Sequence, residues 1–268
     1  MRFATGMRLA LLLAVPSLLH AEDWSKTFPL TGEPTLKVET SDANIHVDTW
    51  DQNSIEAHVT AEGWKIGEHD LRITAAQAGN AVEIEVHFPH NVELFSFNLK
   101  VHEVEIAIHM PRRGQVNLHT GDGSIYVNHL QGQMTLQSGD GHQEIAAVEG
   151  ALHARAGDGN IQVEGKFSGL DLTTGDGRIE ARALTGSSVG SGWSLLTGDG
   201  SVTLLIPAEF SAELDLHTGD GHITTDMPVA VEGRMAQNNV HGKLNAGGAP
   251  LRIHTGDGSI HLKRLDAI

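Results

Sequence analysis

The stretch Thr120-Gly121-Asp122-Gly123-Ser124-Ile125-Tyr126-Val127 contains a Gly-Asp-Gly phrase that recurs along the chain. Glycine accepts positive φ without a steric cost, and an aspartate side chain can bond to nearby main-chain N–H groups, so each copy predicts a sharp turn. The predicted turns are Gly121-Asp122-Gly123, Gly139-Asp140-Gly141, Gly157-Asp158-Gly159, Gly175-Asp176-Gly177, Gly198-Asp199-Gly200, Gly219-Asp220-Gly221 and Gly256-Asp257-Gly258.

The spacing of these copies indicates that one structural unit is reused. The first four copies are 18 residues apart, and the later intervals lengthen to 23, 21 and 37 residues. A fixed period with insertions is typical of repeat architectures. We predict that residues 185–192 and 227–250 are loops leaving the repeat, because they are rich in Gly, Ser and Asn.

Aliphatic residues alternate with polar ones on both sides of each turn. Leu118 precedes the first copy and Ile125 and Val127 follow it, and Gln143 is the clear exception among the equivalent positions. Such alternation is typical of a strand with one buried face. The chain is therefore predicted to be all-β.

Two all-β architectures fit this pattern. An antiparallel β-meander is the alternative reading, because Asp-Gly is a strong hairpin signal, but its apolar face would need a cover that the sequence does not supply. In a right-handed parallel β-solenoid (β-helix), each unit of about 18 residues is one coil, and the apolar columns of successive coils cover one another. We favour the solenoid with Gly-Asp-Gly corners.

The chain divides into three parts. Residues 1–21 are predicted to be a signal peptide, with an early positive charge, a short apolar run and a small-residue cleavage site. Residues 22–111 are expected to form irregular β coils and a cap, and they contain a degenerate repeat at 40–47 that aligns with 120–127. Residues 112–268 form the regular repeat and are expected to be continuous with the preceding part as one domain.

Composition restricts the location and the partner. Loss of Arg2 and Arg8 with the signal peptide takes the net charge from −16 to −18, which disfavours nucleic acid and anionic lipid as partners. We expect an exported chain in the periplasm, at the outer surface or outside the cell, with no transmembrane anchor in its mature form. The expected partner is an envelope or surface component, either a glycan or a protein.

Several segments together resemble the bacterial putative-adhesin domain family, which is similar to the head domains of auto-transporter adhesins. They are the repeated Thr-Gly-Asp-Gly-x-Ile, residues 45–51, Met110-Pro111 and residues 242–253. The resemblance covers nearly all of the chain after residue 21. It implies a right-handed parallel β-solenoid in an exported envelope protein, and it carries over no catalytic residue.

The aspartate column is a candidate calcium site. If Asp122, Asp140, Asp158 and Asp176 stack at about 4.8 Å, neighbouring carboxylates repel by roughly 0.9 kcal/mol in water. Turn hydrogen bonds alone can relieve this repulsion, and we favour that reading. Calcium, which prefers oxygen ligands, is the alternative.

No catalytic residue and no cofactor are predicted. Residues 186–190 match Gly-x-Ser-x-Gly, but that motif needs a helix after it. A metal site from His217, His222 and a neighbouring repeat lacks the usual ligand spacing, so outward solvent-facing histidines are the preferred reading. Protonation of 16 histidines would bring −18 to about −2, so we expect light scattering to rise near pH 5.

The sequence therefore favours a non-enzymatic, exported β-solenoid that binds an envelope or surface component as an adhesin does. A carbohydrate-active β-helix enzyme and a purely structural envelope scaffold are the alternatives. A groove that gathers non-equivalent Asp, Lys and Arg would favour the enzyme. The last repeat, near His261, is expected to leave an open strand edge for self-pairing.

Overall fold

The computed structural model describes residues 21–67, 70–89, 103–231 and 237–265, so the predicted signal peptide, except for Ala21, lies outside the described residues. Every regular element in the described part is a β-strand, and the 21 strands join in one sheet. No helix in these ranges is long and apolar enough to cross a membrane.

The strands of the N-terminal part are β1 (Glu22–Pro29), β2 (Thr35–Thr40), β3 (Asn44–Trp50), β4 (Ser54–Glu62), β5 (Arg72–Ala78), β6 (Ala81–His87) and β7 (Glu103–Pro111). The first repeats form β8 (Arg113–His119), β9 (Ile125–Asn128), β10 (Gln131–Ser138), β11 (Gln143–Ala156), β12 (Ile161–Thr174) and β13 (Ile179–Ala183). The remaining strands are β14 (Trp193–Thr197), β15 (Val202–Ile206), β16 (Ala212–Thr218), β17 (Ile223–Thr225), β18 (Val229–Val231), β19 (Asn239–Leu244), β20 (Pro250–Thr255) and β21 (Ile260–Arg264).

The repeats build two parallel ladders, and we call the two strands that flank one Gly-Asp-Gly corner a rung. Ladder A holds the strands before the corners, in the order β6, β2, β8, β10, β11, β12, β14, β20 and β16. The long strands β11 and β12 run from one corner to the next, so their first halves belong to ladder B and their second halves to ladder A. Ladder B holds the strands after the corners, in the order β7, β3, β9, β11, β12, β13, β15, β21 and β17. All these pairings are parallel, so the antiparallel meander is wrong for the repeats.

The aliphatic columns predicted from the sequence form the core. Leu118 pairs with Leu136 and Leu136 with Ala154, and each of these side chains is fully buried. On ladder B, Ile125 lies beside Gln143, which lies beside Ile161. The degenerate copy also stacks as aligned, because Ile45 pairs with Ile125.

The order of rungs in space differs from their order in the chain. The rung of Asp257, made by β20 and β21, lies between the rung of Asp199 and the rung of Asp220. The expectation of an open edge near His261 is therefore wrong, since β21 has a parallel partner on each side. Among the described strands at this end of ladder B, β17 is the one with a single partner strand, β21.

Antiparallel strands flank the parallel array at its ends. At the N-terminal end, β4 pairs with β7 and β1 with β4, while β5 pairs with β6. At the other end β19 lies between β16 and β18. The prediction that residues 227–250 are simply a loop is thus wrong, because β18 and β19 lie within this segment and cover the edge of β16.

The corner glycines serve a different purpose from the one predicted. None of them is among the glycines with positive φ. A Cβ on Gly159 would instead lie 2.0 Å from the carbonyl oxygen of Gly141 in the preceding rung, and one on Gly141 would lie 1.8 Å from that of Gly123. The third residue of the phrase is glycine because neighbouring corners approach too closely for any side chain.

In five rungs, a buried threonine hydroxyl ties the corner to a neighbouring corner. The Oγ1 of Thr174 donates to the Gly159 carbonyl at 2.8 Å, and the threonine itself is 3% exposed. Because the Gly159 carbonyl is buried, it needs a hydrogen-bond donor from the protein. Equivalent bonds run from Thr120 to Ala43, Thr197 to Gly177, Thr218 to Gly258 and Thr255 to Gly200.

The rungs of Asp140 and Asp158 depart from this rule, and their exceptions compensate for one another. Ala156 occupies the threonine position and has no hydroxyl to donate to Gly141. Ser138 donates to the Gly141 carbonyl instead, at 2.9 Å, and its oxygen accepts from the Gln143 amide at 2.9 Å. The same amide reaches the Arg155 carbonyl at 2.6 Å. Gln143, the polar residue in the apolar column, is therefore part of a local hydrogen-bond network.

Candidate functional site

A groove of about 390 Å³ crosses the outer face of ladder A over β10, β11, β12, β14 and β20. Its floor is the row Ala151, Gly169 and Gly192, where the side chains are a methyl group or absent, and Gln133 and Pro250 stand at its two ends. Four strand spacings separate these ends, which gives a length of about 19 Å. The main chain of the ladder is thus accessible to a ligand along this row.

One long side of the groove is polar. Its residues are His153, Asp171, Ser194 and Arg252, which occupy successive strands in the outward row next to the floor. His153 Nδ1 lies 2.9 Å from an oxygen of Asp171, and the two side chains are 36% and 43% exposed. This side therefore offers donors and acceptors that a ligand can reach.

The insertion at 185–192 contributes Ser191 and Gly192 to the groove and is fixed to the neighbouring strand. Ser187 Oγ accepts a hydrogen bond from the Phe167 amide at 3.0 Å, and the Ser188 amide donates to the Phe167 carbonyl at 2.9 Å. Val189 is buried, which anchors the loop against the core. The serines of the Gly-x-Ser-x-Gly match thus hold a loop to a strand, and no helix follows them in the described chain.

The inward orientation of Trp193 keeps its large ring out of the groove. Its ring faces inward and is 2% exposed, and it packs against Phe167 and Phe210 at centroid distances of 6.3 and 4.9 Å. Because side chains alternate along a strand, the neighbouring Gly192 faces outward. The largest side chain of β14 therefore packs in the core beneath the strand and does not occupy the groove.

Beyond Arg252, Asp215 is the centre of a charged cluster. Arg252 Nε lies 3.2 Å from Asp215 Oδ2, His254 Nε2 lies 3.4 Å from the same oxygen, and His241 Nδ1 lies 3.3 Å from Oδ1. Partial burial opposes ionisation of this carboxyl, but the hydrogen bond from Arg252 and the nearby imidazoles of His254 and His241 outweigh it. The pKa of Asp215 is consequently lowered.

The geometry of the groove suits binding better than catalysis. Asp171 stands between His153 and Ser194, so the imidazole is about 10 Å, or two strand spacings, from the hydroxyl that it would have to deprotonate. Asp171 and Asp215 are three strands apart, roughly 14 Å. That separation exceeds the roughly 6.5–9.5 Å between the carboxyl groups of inverting glycosidases.

The structure places the aspartates of the predicted calcium column one per rung at exposed corners, where each corner bonds to its neighbour through the main chain. Burial and the charge of Asp122 raise the pKa of Asp42, the carboxyl of the degenerate copy. Calcium binding by Asp122, Asp140, Asp158 and Asp176 stays a prediction. A melting temperature that is equal in EDTA and in millimolar Ca²⁺ would remove it.

One triplet of potential metal ligands is preformed in the described ranges, and a lysine already pairs with two of its three carboxylates. Glu39, Glu83 and Glu85 hold oxygens within 4.8 Å of one another. The Lys37 ammonium lies 3.0 Å from Glu39 and 2.7 Å from Glu83, and these hydrogen bonds raise the pKa of Lys37 above its usual range. A lysine thus occupies the position that a cation would take.

The histidines suggested for a metal site are not the ones that meet. His217 lies edge-to-face on His254 at 5.8 Å, whereas the His222 amide bonds to Ser259 on the other side of the corner. His241, which sequence analysis did not select, reaches the same cluster from β19. The sequence signal for it is alternation within a segment that is predicted to be a loop.

In the described residues, the fold and the groove together define a repeat protein built of β-strands with a polar outer face. The chain belongs to the family described as Toastrack DUF4097, whose model matches residues 35–263. No curated protein matches the chain.

The chain is also similar, at low identity, to several solved structures. One is described as a putative cell adhesion protein from Clostridium sporogenes ATCC 15579, at 14% identity over 92% of this chain and 100% of that chain, with a TM-score of 0.42. A putative adhesin from Parabacteroides merdae ATCC 43184 shares 10% identity over 91% and 97%, with a TM-score of 0.45. A putative lipid binding protein from Parabacteroides distasonis ATCC 8503 shares 12% over 91% and 97%, with a TM-score of 0.41. Likeness at this level says nothing about function.

Proposed function

We propose that the protein is an exported, non-enzymatic binding protein of the adhesin type, and that the groove on ladder A holds its ligand. The ligand is an envelope or surface component, a glycan or a protein segment, that lies extended along the groove. The observation that carries the proposal is the row Ala151, Gly169 and Gly192, which leaves a channel with no side chain larger than a methyl group beside the polar row from His153 to Arg252.

Three features support binding along this channel. The floor belongs to strands that are hydrogen-bonded on both sides, so the surface is rigid before the ligand arrives and little ordering entropy is lost on binding. Gly192 and Pro250 come from the two insertions that lengthen the repeat, and inserted segments on a rigid scaffold commonly carry binding residues. Exposed His153, Asp171 and Arg252 supply directional hydrogen bonds for specificity.

The proposal includes the finer features expected from the sequence. They are export through residues 1–21, a right-handed coil, and a surface role similar to that of auto-transporter adhesin heads. The pairing of residues 18 apart between β8, β10, β11 and β12 supports the coil length.

A filled groove tests the proposal. Gly169 is suited to this experiment, because a Cβ there meets only the Ala151 methyl, at 3.6 Å, an ordinary contact. Gly169→Gln should place a side chain across the floor without disturbing the rungs. We expect the wild type to bind to a printed glycan array or to purified peptidoglycan, and Gly169→Gln to lose at least tenfold in affinity at an unchanged melting temperature.

The matched control is Gln162→Ala, which alters an exposed position of ladder B on the same strand, β12. It should bind as the wild type does. Equal binding by wild type and Gly169→Gln would place the ligand elsewhere on the molecule. Fractionation of cells and antibody labelling of intact ones test export and surface exposure separately from the groove.

The carbohydrate-active enzyme is kept as a second candidate because His153, Asp171 and Arg252 share one groove. Release of reducing ends or unsaturated sugars from acidic polysaccharides, abolished by Asp171→Asn, would establish it. Binding without such release supports the adhesin-type function.

A further inference from the structure

We propose that His217, His254 and Asp215 bind a divalent transition-metal ion, with zinc as the reference ion, at the outer face of ladder A beside the groove. This site adjoins the proposed ligand groove and shares Arg252 with it. It combines two imidazoles and one carboxylate, which is a donor set that zinc accepts, with a water completing four ligands.

The register of three adjacent strands creates the cluster. His217 on β16 is directly opposite His254 on β20, so their Cβ atoms are about 5 Å apart. Asp215 lies two residues before His217, and residues two apart on a strand share one face. The three side chains therefore project from one small area.

Existing contacts already bring the carboxylate and the rings together. His254 Nε2 is 3.4 Å from Asp215 Oδ2, and the His217 ring centroid is 5.8 Å from that of His254. Their ligand atoms are not among the described sets that converge within 4.8 Å. Because His217 is exposed, its ring can turn toward the carboxylate without disturbing the core.

His241 holds the carboxylate from the other side. It is directly opposite Asp215 on antiparallel β19, and its Nδ1 lies 3.3 Å from Oδ1. A partner that fixes a metal-binding carboxylate usually changes affinity by about 10- to 100-fold when it is removed. His241 would thus position Asp215 rather than bind the ion itself.

Arg252 competes with a metal ion for the Asp215 carboxylate. Its Nε lies 3.2 Å from Asp215 Oδ2, and a guanidinium stays charged at every physiological pH. The ion must displace this contact or share the carboxylate with it. Removal of Arg252 should therefore strengthen metal binding, an effect that nonspecific adsorption to histidines would not produce.

Calorimetric titration of tag-free, EDTA-treated protein with ZnCl₂ at pH 7.5 tests the site. We expect one saturable site, with affinity at least tenfold weaker in His217→Ala and in His254→Ala. Arg252→Gln should bind more tightly than the wild type. His119→Ala and His222→Ala are the controls and should bind as the wild type does, because each lies outside the cluster.

Circular dichroism confirms that every variant is folded before titration. The proposal is overturned by a wild-type titration with no saturable site. It is equally overturned if the double variant His217→Ala/His254→Ala retains wild-type affinity, or if Arg252→Gln does not bind more tightly.

Discussion

The hydroxyl of Thr174 donates a hydrogen bond of 2.8 Å to the carbonyl oxygen of Gly159, a residue that lies 15 positions earlier in the chain and in the neighbouring rung. The threonine is chosen for its donor and the glycine for its lack of a side chain. This pairing explains the first and last residues of the Thr-Gly-Asp-Gly phrase.

Thr174→Val should destabilise the fold by about 1–3 kcal/mol, because valine fills the same volume but leaves a buried carbonyl without its donor. Thr173→Val, on the outward face of the same strand, is the control and should change little. Urea unfolding measures both. Equal stability of the two variants would show that the hydroxyl is dispensable.

Gly159→Ala should be far more damaging than Gly169→Ala. The added methyl would lie 2.0 Å from the Gly141 carbonyl in the first variant but 3.6 Å from a methyl group in the second. We expect a loss of roughly 3 kcal/mol or more for Gly159→Ala, since a main-chain oxygen cannot move aside easily. Comparable melting temperatures for the two would contradict this account of the corners.

Gln143 and Ala156 should be energetically coupled. Ala156→Thr restores the missing hydroxyl beside Gly141, so Gln143→Ile should then cost less than it does in the wild type. We expect a coupling energy of about 0.5 kcal/mol or more in a double-mutant cycle. Additive effects would mean that the Ser138 network is incidental.

Asp215 should stabilise the protein less in acid. Its pKa is lowered in the folded state, so the unfolded chain binds more protons and stability falls as pH drops through the lowered value, below about pH 4. Because the carboxyl is partly exposed, the effect should be less than about 1 kcal/mol. Asp215→Asn should lose this dependence, measured by urea unfolding at pH 5 and pH 3. A constant difference between the two proteins would argue against it.

The periodic part of the fold could be predicted from the sequence because alternation and spacing report burial directly. Leu118, Leu136 and Ile125 lie where the pattern placed them. The role of the corner glycines could not be predicted, because a close approach between rungs and a positive φ select the same residue.

The order of the last rungs also could not be predicted from the sequence. The rungs of Asp199, Asp220 and Asp257 carry similar apolar columns, so any of them could stack on any other. The groove was hidden for a related reason, since Gly169 and Gly192 resemble ordinary loop glycines until their neighbours across the ladder are known. His241 was missed because its strand pairs antiparallel, outside the repeat.

The displaced position of the Asp257 rung has a consequence for assembly. β16 and β17 are synthesised before β20 and β21, which connect them in parallel to the rest of the array. Their parallel pairing can therefore form only after β20 and β21 have inserted between them and the preceding rung. Loss of β20 and β21 would break the parallel pairing inside the array and expose two apolar surfaces, whereas loss of a terminal rung would expose only one. Proteolytic damage at this end of the chain should therefore propagate inward instead of merely shortening the array.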